Sequence, residues 1–108
     1  MAYVTIHKFK GGTKEQYEAS LAAVHPKGGR GLPEGQIFHT GGLSADGYWT
    51  IVVVHESRES WERFRDNILG PRLKEGVKGG FTTMPEETTF EAYNLRSLPE
   101  LTKMAKAA

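Results

Sequence analysis

A chain of 108 residues with 14 Lys and Arg against 13 Asp and Glu carries a net charge of only +1, which fits one domain and gives no electrostatic case for nucleic acid. The absence of cysteine removes disulfides, thiolate metal sites and a cysteine nucleophile together. No apolar run approaches the about 20 residues of a membrane span, and MAYVTIHKFK breaks its apolar stretch with Lys and His, unlike a secretory leader. A soluble, cytoplasmic protein with no membrane partner is expected.

The first element is YVTIHKF, from Tyr3 to Phe9. Its alternating sets, Val4, Ile6 and Lys8 against Tyr3, Thr5, His7 and Phe9, are both partly apolar, as in an inner strand. Gly11-Gly12 ends it. Thr13-Lys14-Glu15-Gln16 then fits a capping box, and Tyr17, Leu21 and Val24 at i, i+4 and i+7 give a helix one apolar stripe. HPKGGRGLPEG, from His25 to Gly35, is a glycine-rich connection in which His25 is expected to face solvent. Lys27 and Arg30 stand among its glycines, but the spacing is not that of a phosphate-binding P-loop.

A hairpin follows, Gln36–Gly41 with Tyr48–Glu56, turned at Asp46-Gly47. The unbroken run Ile51–Val54 suggests a central strand covered on both faces. Ser57 caps a second helix with apolar positions Trp61, Phe64, Ile68 and Leu69, and Glu59 stands four residues before Arg63 in the favourable order for an ion pair. Gly70-Pro71 should kink or interrupt it, because Pro71 has no amide to donate. After the loop GVKGGFTTMPEE, the stretch TTFEAYNL, Thr88–Leu95, alternates as a last strand, with Glu86, Glu87 and Glu91 in or beside a solvated loop. Residues 97–108 form a tail whose Leu98, Leu101 and Met104 suit a short helix.

The order β-α-β-β-α-β over residues 1–96 specifies an α+β class, a ferredoxin-like sandwich with a four-stranded antiparallel sheet in the order 4-1-3-2 and both helices on one face. The other face, with its Ile, Val and Phe, then has no cover within the chain. Sheet-to-sheet pairing through a two-fold axis would bury it, so a homodimer is expected.

FKGGT followed by KEQYEASLAA, then QIFHTGG, IVVVHESRESWERFRDNILGPRL and EAYNL resemble the dimeric α/β-barrel superfamily. Within it, the likeness is to the small antibiotic-biosynthesis-monooxygenase-like proteins. The resemblance spans about residues 3 to 95. It implies a dimeric α/β barrel with a pocket between sheet and helices in each subunit, on an architecture shared by cofactor-free oxygenases, haem-degrading enzymes, isomerases and proteins without a known reaction. Where such enzymes often carry a carboxylate, a hydrophobic residue and Trp, this chain has Val53, Val54 and His55.

Trp49, Ile51, Val53 and His55 share one face of the third strand, and Tyr3, Thr5, His7 and Phe9 are the matching set on the first. A symmetric two-residue turn puts His39 opposite Val52. A bulge at Gly41-Gly42 shifts it opposite Ile51 and onto the pocket face, and a glycine pair inside a strand favours that bulge. His39 and His55 are therefore the candidate catalytic residues, because imidazole titrates near neutral pH. His7, Phe9, Trp49, Ile51, Val53, Tyr93 and Asn94 are the candidate ligand-binding residues. No metal site is expected, since no histidine pair has ligand spacing, and no cofactor motif is visible. Two functions fit: a cofactor-free oxygenase or isomerase-like enzyme acting on a small aromatic or polyketide-like molecule, or a non-catalytic dimeric module binding a ligand or another protein.

Overall fold

The computed structural model describes residues 1–99 as a four-stranded antiparallel sheet with its helices on one face. The elements are β1 (Tyr3–Lys10), α1 (Lys14–Val24), β2 (Gln36–Leu43), β3 (Tyr48–His55), α2 (Arg58–Phe64), α3 (Gly70–Glu75) and β4 (Glu86–Glu91). The spatial order β2-β3-β1-β4 is the order 4-1-3-2 expected from the sequence, read from the other edge. This is the ferredoxin-like α+β fold. Most of the expected tail helix falls on residues 100–108, outside the described residues.

Thr13 starts α1 as its residue type dictates. Its hydroxyl accepts from the Gln16 amide, and the Gln16 side chain accepts from the Thr13 amide, both at 3.1 Å. This box fixes the helix start and so the direction in which Tyr17 leaves it. Ser57 caps α2 in the same way, accepting from the Ser60 amide at 3.1 Å. The ion pair on α2 joins Arg58 to Glu62 at 3.4 Å rather than Glu59 to Arg63.

Gly70-Pro71 interrupts the regular α-helix, as expected, without ending the helical run. Residues Arg65–Leu69 form a π turn between α2 and α3, and the Gly70 amide bonds back to the Arg65 carbonyl. The wider turn makes room for the ring of Pro71, which in a regular helix presses on the carbonyl four residues earlier.

β4 is displaced from its expected position. It starts at Glu86 rather than Thr88, because Glu86 and Glu87 pair in register with Lys8 and His7, and it ends at Glu91. The backbone bond from the Ala92 amide to the Ala2 carbonyl, at 2.8 Å, closes the pairing.

The hairpin also has a different register. Ala45, Asp46 and Gly47 make a three-residue loop, with the Gly47 amide bonded to the Ser44 carbonyl at 3.0 Å and Gly47 at φ 87°. A left-handed residue closing such a loop favours glycine. His39 then stands opposite Val53, neither Val52 nor Ile51, and the bulge lies between Gln36 and Phe38, not at Gly41-Gly42.

The two helical segments use the sheet differently. α2 buries Ser60, Trp61 and Phe64, and Tyr3, Trp61 and Phe64 form a core with Val24 and Leu69 packed against it. α1 has no buried residue. Apart from Val24, its stripe leaves a space above the sheet, which is the cavity described next.

Candidate functional site

The gap between α1, α2 and the sheet is a cavity of about 350 Å³, within the range of ligand pockets. Its floor is the alternate set of sheet residues that period-two geometry directs toward the helices. Register places them in rows. Gly41, Ile51, His7 and Glu87 form one row, and His39, Val53, Thr5 and Thr89 form the next. Gln36, His55 and Tyr3 follow. α1 contributes Tyr17, Ser20, Leu21 and Val24 to the walls, and Trp61 and Phe64 come from α2. Val77 and Phe81–Pro85 rim the opening, where Phe81 stacks on Phe9 with ring centroids 3.8 Å apart. Glu87 ends the first row outside the lining, and none of the residues that line the cavity is Lys, Arg, Asp or Glu.

A hydrogen-bond chain crosses one end. The Tyr17 hydroxyl lies 2.6 Å from His39 Nε2, and His39 Nδ1 lies 3.0 Å from Gln36 Oε1. An amide oxygen only accepts, so Nδ1 carries the proton, and Nε2 accepts from Tyr17; this tautomer is assigned from the partners. Burial, then the neighbouring His25, push His39 down to about 4, and burial raises Tyr17. Both are therefore neutral at pH 7.

Two backbone features build the chain. Gln36 and His39 are three residues apart and would face opposite sides of a regular strand. The bulge at Ile37 restores them to one face. Gly41 then leaves space for Tyr17, since a Cβ there would meet the tyrosine Cζ at 2.7 Å. The strand glycine marks a close approach rather than the bulge.

Of the candidate residues from the sequence, His39, His55, His7, Phe9, Ile51 and Val53 line the cavity. His55 is fully buried, its ring 5.5 Å from Trp61 and 5.8 Å from Phe64, and neither ring nitrogen has a hydrogen-bond partner. Burial first, then His25 and His39, push it down to about 4. His7 Nε2 meets Glu87 Oε2 at 2.8 Å. Trp49 stands behind the lining, its ring 5.3 Å from that of Tyr17. Tyr93 is 96% exposed, and Asn94 is exposed beside it; neither lines the cavity, because β4 ends before them.

His25 is a correction. It is 8% exposed, lines the cavity, and sets its ring edge-on to His39 at 4.8 Å. It is placed at the end of α1, where its amide caps onto the Leu21 carbonyl at 2.8 Å. Burial lowers its pKa, and a backbone bond to Gly31 opposes that in part. Tyr17, Gln36, Thr5 and His25 are the site residues the sequence reading missed. For Tyr17 there was a signal in the strand glycine across from its helix. For Gln36 there was none, because a bulge at Ile37 leaves no mark in residue type. Among the described residues, no group of three or more His, Cys, Asp or Glu is arranged to hold a metal ion.

No protein-family model matches the chain, and no curated protein matches it. Among solved structures it is similar to one described as "Structure of Rv0793 from Mycobacterium tuberculosis", over 90% of this chain and 100% of that one, with a TM-score of 0.65 at 18% identity. At that identity the likeness establishes the fold alone: a small α+β domain.

Proposed function

We propose that the cavity binds a small, uncharged aromatic molecule bearing a hydroxyl group, and that Tyr17 and His39 relay that hydroxyl's proton. The observation that carries this reading is the Tyr17–His39–Gln36 chain inside a cavity without charged lining. Because Tyr17 donates to His39, its oxygen offers a lone pair to the ligand. The ligand hydroxyl gives its proton to Tyr17, and Tyr17 passes its own to His39 Nε2. The resulting imidazolium keeps its Nδ1–H bond to Gln36, and the ligand keeps the electron pair. Burial makes His39 a weak base, so the relay selects acidic hydroxyls, such as enols and phenols conjugated to a carbonyl. A cofactor-free oxygenase or isomerase of the resembled family would begin from such an anion. The same weak basicity favours the second reading, a module that binds the ligand without turning it over.

The test is equilibrium binding of 2-naphthol and naphthalene to the parent, Tyr17→Phe and His39→Gln proteins, with melting temperatures on the same samples. The parent should prefer 2-naphthol, and Tyr17→Phe should reduce that preference by about tenfold, the worth of one hydrogen bond. His39→Gln should melt close to the parent yet lose part of the preference. Equal affinity for the two probes in the parent would defeat the proposal. So would a His39→Gln protein that binds unchanged while melting much earlier, which would make His39 a core residue.

A further inference from the structure

Five buried side-chain polar atoms have no hydrogen-bond partner among the described residues: Thr5 Oγ1, Trp49 Nε1, both ring nitrogens of His55, and Ser60 Oγ. Trp49 and Ser60 lie off the main cavity, whereas Thr5 and His55 line it, and both are 0% exposed. A buried hydroxyl and a buried imidazole with nothing to bind destabilise a fold, so each calls for an explanation. Here the two are diagonal neighbours on one face, since Tyr3 pairs with His55 and Thr5 with Val53. Val53 separates Thr5 from His39 across the sheet. Two strand spacings put Thr5 roughly 10 Å from His39 along the floor, a span suited to a two-ring aromatic skeleton with an oxygen at each end, while His55 stands on the strand between them, opposite Gln36, and reaches that span from the side.

We infer that Thr5 and His55 form a second polar subsite, which receives a carbonyl oxygen of the ligand and stabilises the charge that reaches it. The inference rests on the Tyr17–His39 reading above. When a hydroxyl conjugated to a carbonyl loses its proton through Tyr17 to His39, no other bond to hydrogen changes. The electron pair delocalises through the ring system onto the carbonyl oxygen at the far end. There the Thr5 hydroxyl and the single N–H of neutral His55 are the donors, already desolvated and with no competing partner. The ligand class is therefore a hydroxyaryl ketone or its vinylogous equivalent. Its two oxygens are read by two different chemistries, a proton acceptor at one end and a pair of neutral donors at the other.

The experiment compares 6-acetyl-2-naphthol with 6-isopropyl-2-naphthol, which has the same shape and no carbonyl, and with 2-naphthol and naphthalene as controls. The hosts are the parent, Thr5→Val and His55→Phe, both conservative in shape, together with Tyr17→Phe. Binding is followed by fluorescence, ionisation of the bound acetyl compound by its absorbance, and folding by melting temperature. In the parent, the acetyl compound should bind about tenfold more tightly than its isopropyl match. That ratio should fall toward one in Thr5→Val and His55→Phe, and the pH at which the bound acetyl compound ionises should rise. Both variants should melt at or above the parent temperature, because each removes a polar atom that has no partner.

An acetyl-to-isopropyl ratio that is the same in the parent, Thr5→Val and His55→Phe overturns the inference. If Thr5→Val also melts lower, the orphan atoms serve a trapped water and not a ligand, which overturns it too. The two proposals fail separately. Loss of the 2-naphthol preference over naphthalene in the parent removes the relay and this subsite with it. An intact, Tyr17-dependent preference with no gain from the carbonyl removes the subsite alone.

Discussion

His55 concentrates the physical tension of the site in one side chain. It is fully buried beside Trp61 and Phe64 and has no hydrogen-bond partner, and its pKa falls from 6.5 to about 4 mainly because burial penalises the cation. The consequence for stability has a definite sign. The unfolded chain takes up a proton on this residue near its ordinary value, while the folded chain refuses it until pH approaches the lowered one. The neutral ring thus contributes stability above the ordinary value, and that contribution is lost as pH falls from 6.5 toward about 4. In that window His55 should add a slope of up to about 1.4 kcal/mol per pH unit to the loss of stability. His39 acts in the same direction, since burial and the neighbouring His25 lower it to about 4 as well. Denaturant unfolding of the parent and His55→Phe across this range measures the term as a difference, free of the carboxylates common to both. Parallel curves would show that folding does not hold His55 neutral. At this scale the sequence made His39 and His55 visible, because imidazole on a strand face is a conspicuous residue type. It left Thr5 and Gln36 hidden, since a threonine and a glutamine in strands are chemically ordinary until their partners are known.

Elements differ in how openly they declare themselves. α1 and the start of α2 were legible because Thr13 and Ser57 carry local capping chemistry that needs no tertiary information. The strand order followed from chain order and handedness once six elements were counted. Register was not legible. The hairpin turns on three residues with Gly47 in the left-handed region, and its bulge sits at Ile37. The three-residue turn sets the register from Leu43 back to Phe38, which is why the partner of His39 differs from the one expected, while the bulge at Ile37 re-aims only the Gln36 end of β2. The role of Gly41 was misread for a related reason. A glycine inside a strand signals either a bulge or a close neighbour, and only the fold shows that the neighbour is the Tyr17 ring. The apolar stripe Tyr17, Leu21 and Val24 does not by itself say whether it packs or lines a space. It lines a cavity because α1 stands away from the sheet while α2 lies on it.

At the scale of the molecule the two faces of the sheet have different assignments. The helix face holds the cavity. The opposite face presents Ile6 and Val52 at its centre, with Phe38 and Phe90 at 42% and 48% exposure on the flanking strands, while Val54 at one end is buried against Ala2, Ile37 and Ala92. We propose that a second copy of the chain covers this face through a two-fold axis, since a contiguous apolar surface favours a self-complementary partner. Sedimentation at micromolar concentration should give a dimer, and Phe38→Glu with Phe90→Glu should give a folded monomer. A parent that sediments as a monomer would remove the pairing and leave the cavity reading intact, because every residue of the relay comes from one chain. The central claim concerns the helix face, and locating a bound probe tests it most directly. Histidine- and phenylalanine-labelled protein titrated with 2-naphthol should show the ring signals of His25, His39 and His55 moving together and saturably, while those of Phe38 and Phe90 stay fixed. Shifts confined to Phe38 and Phe90, with the three histidines unmoved, would contradict the account.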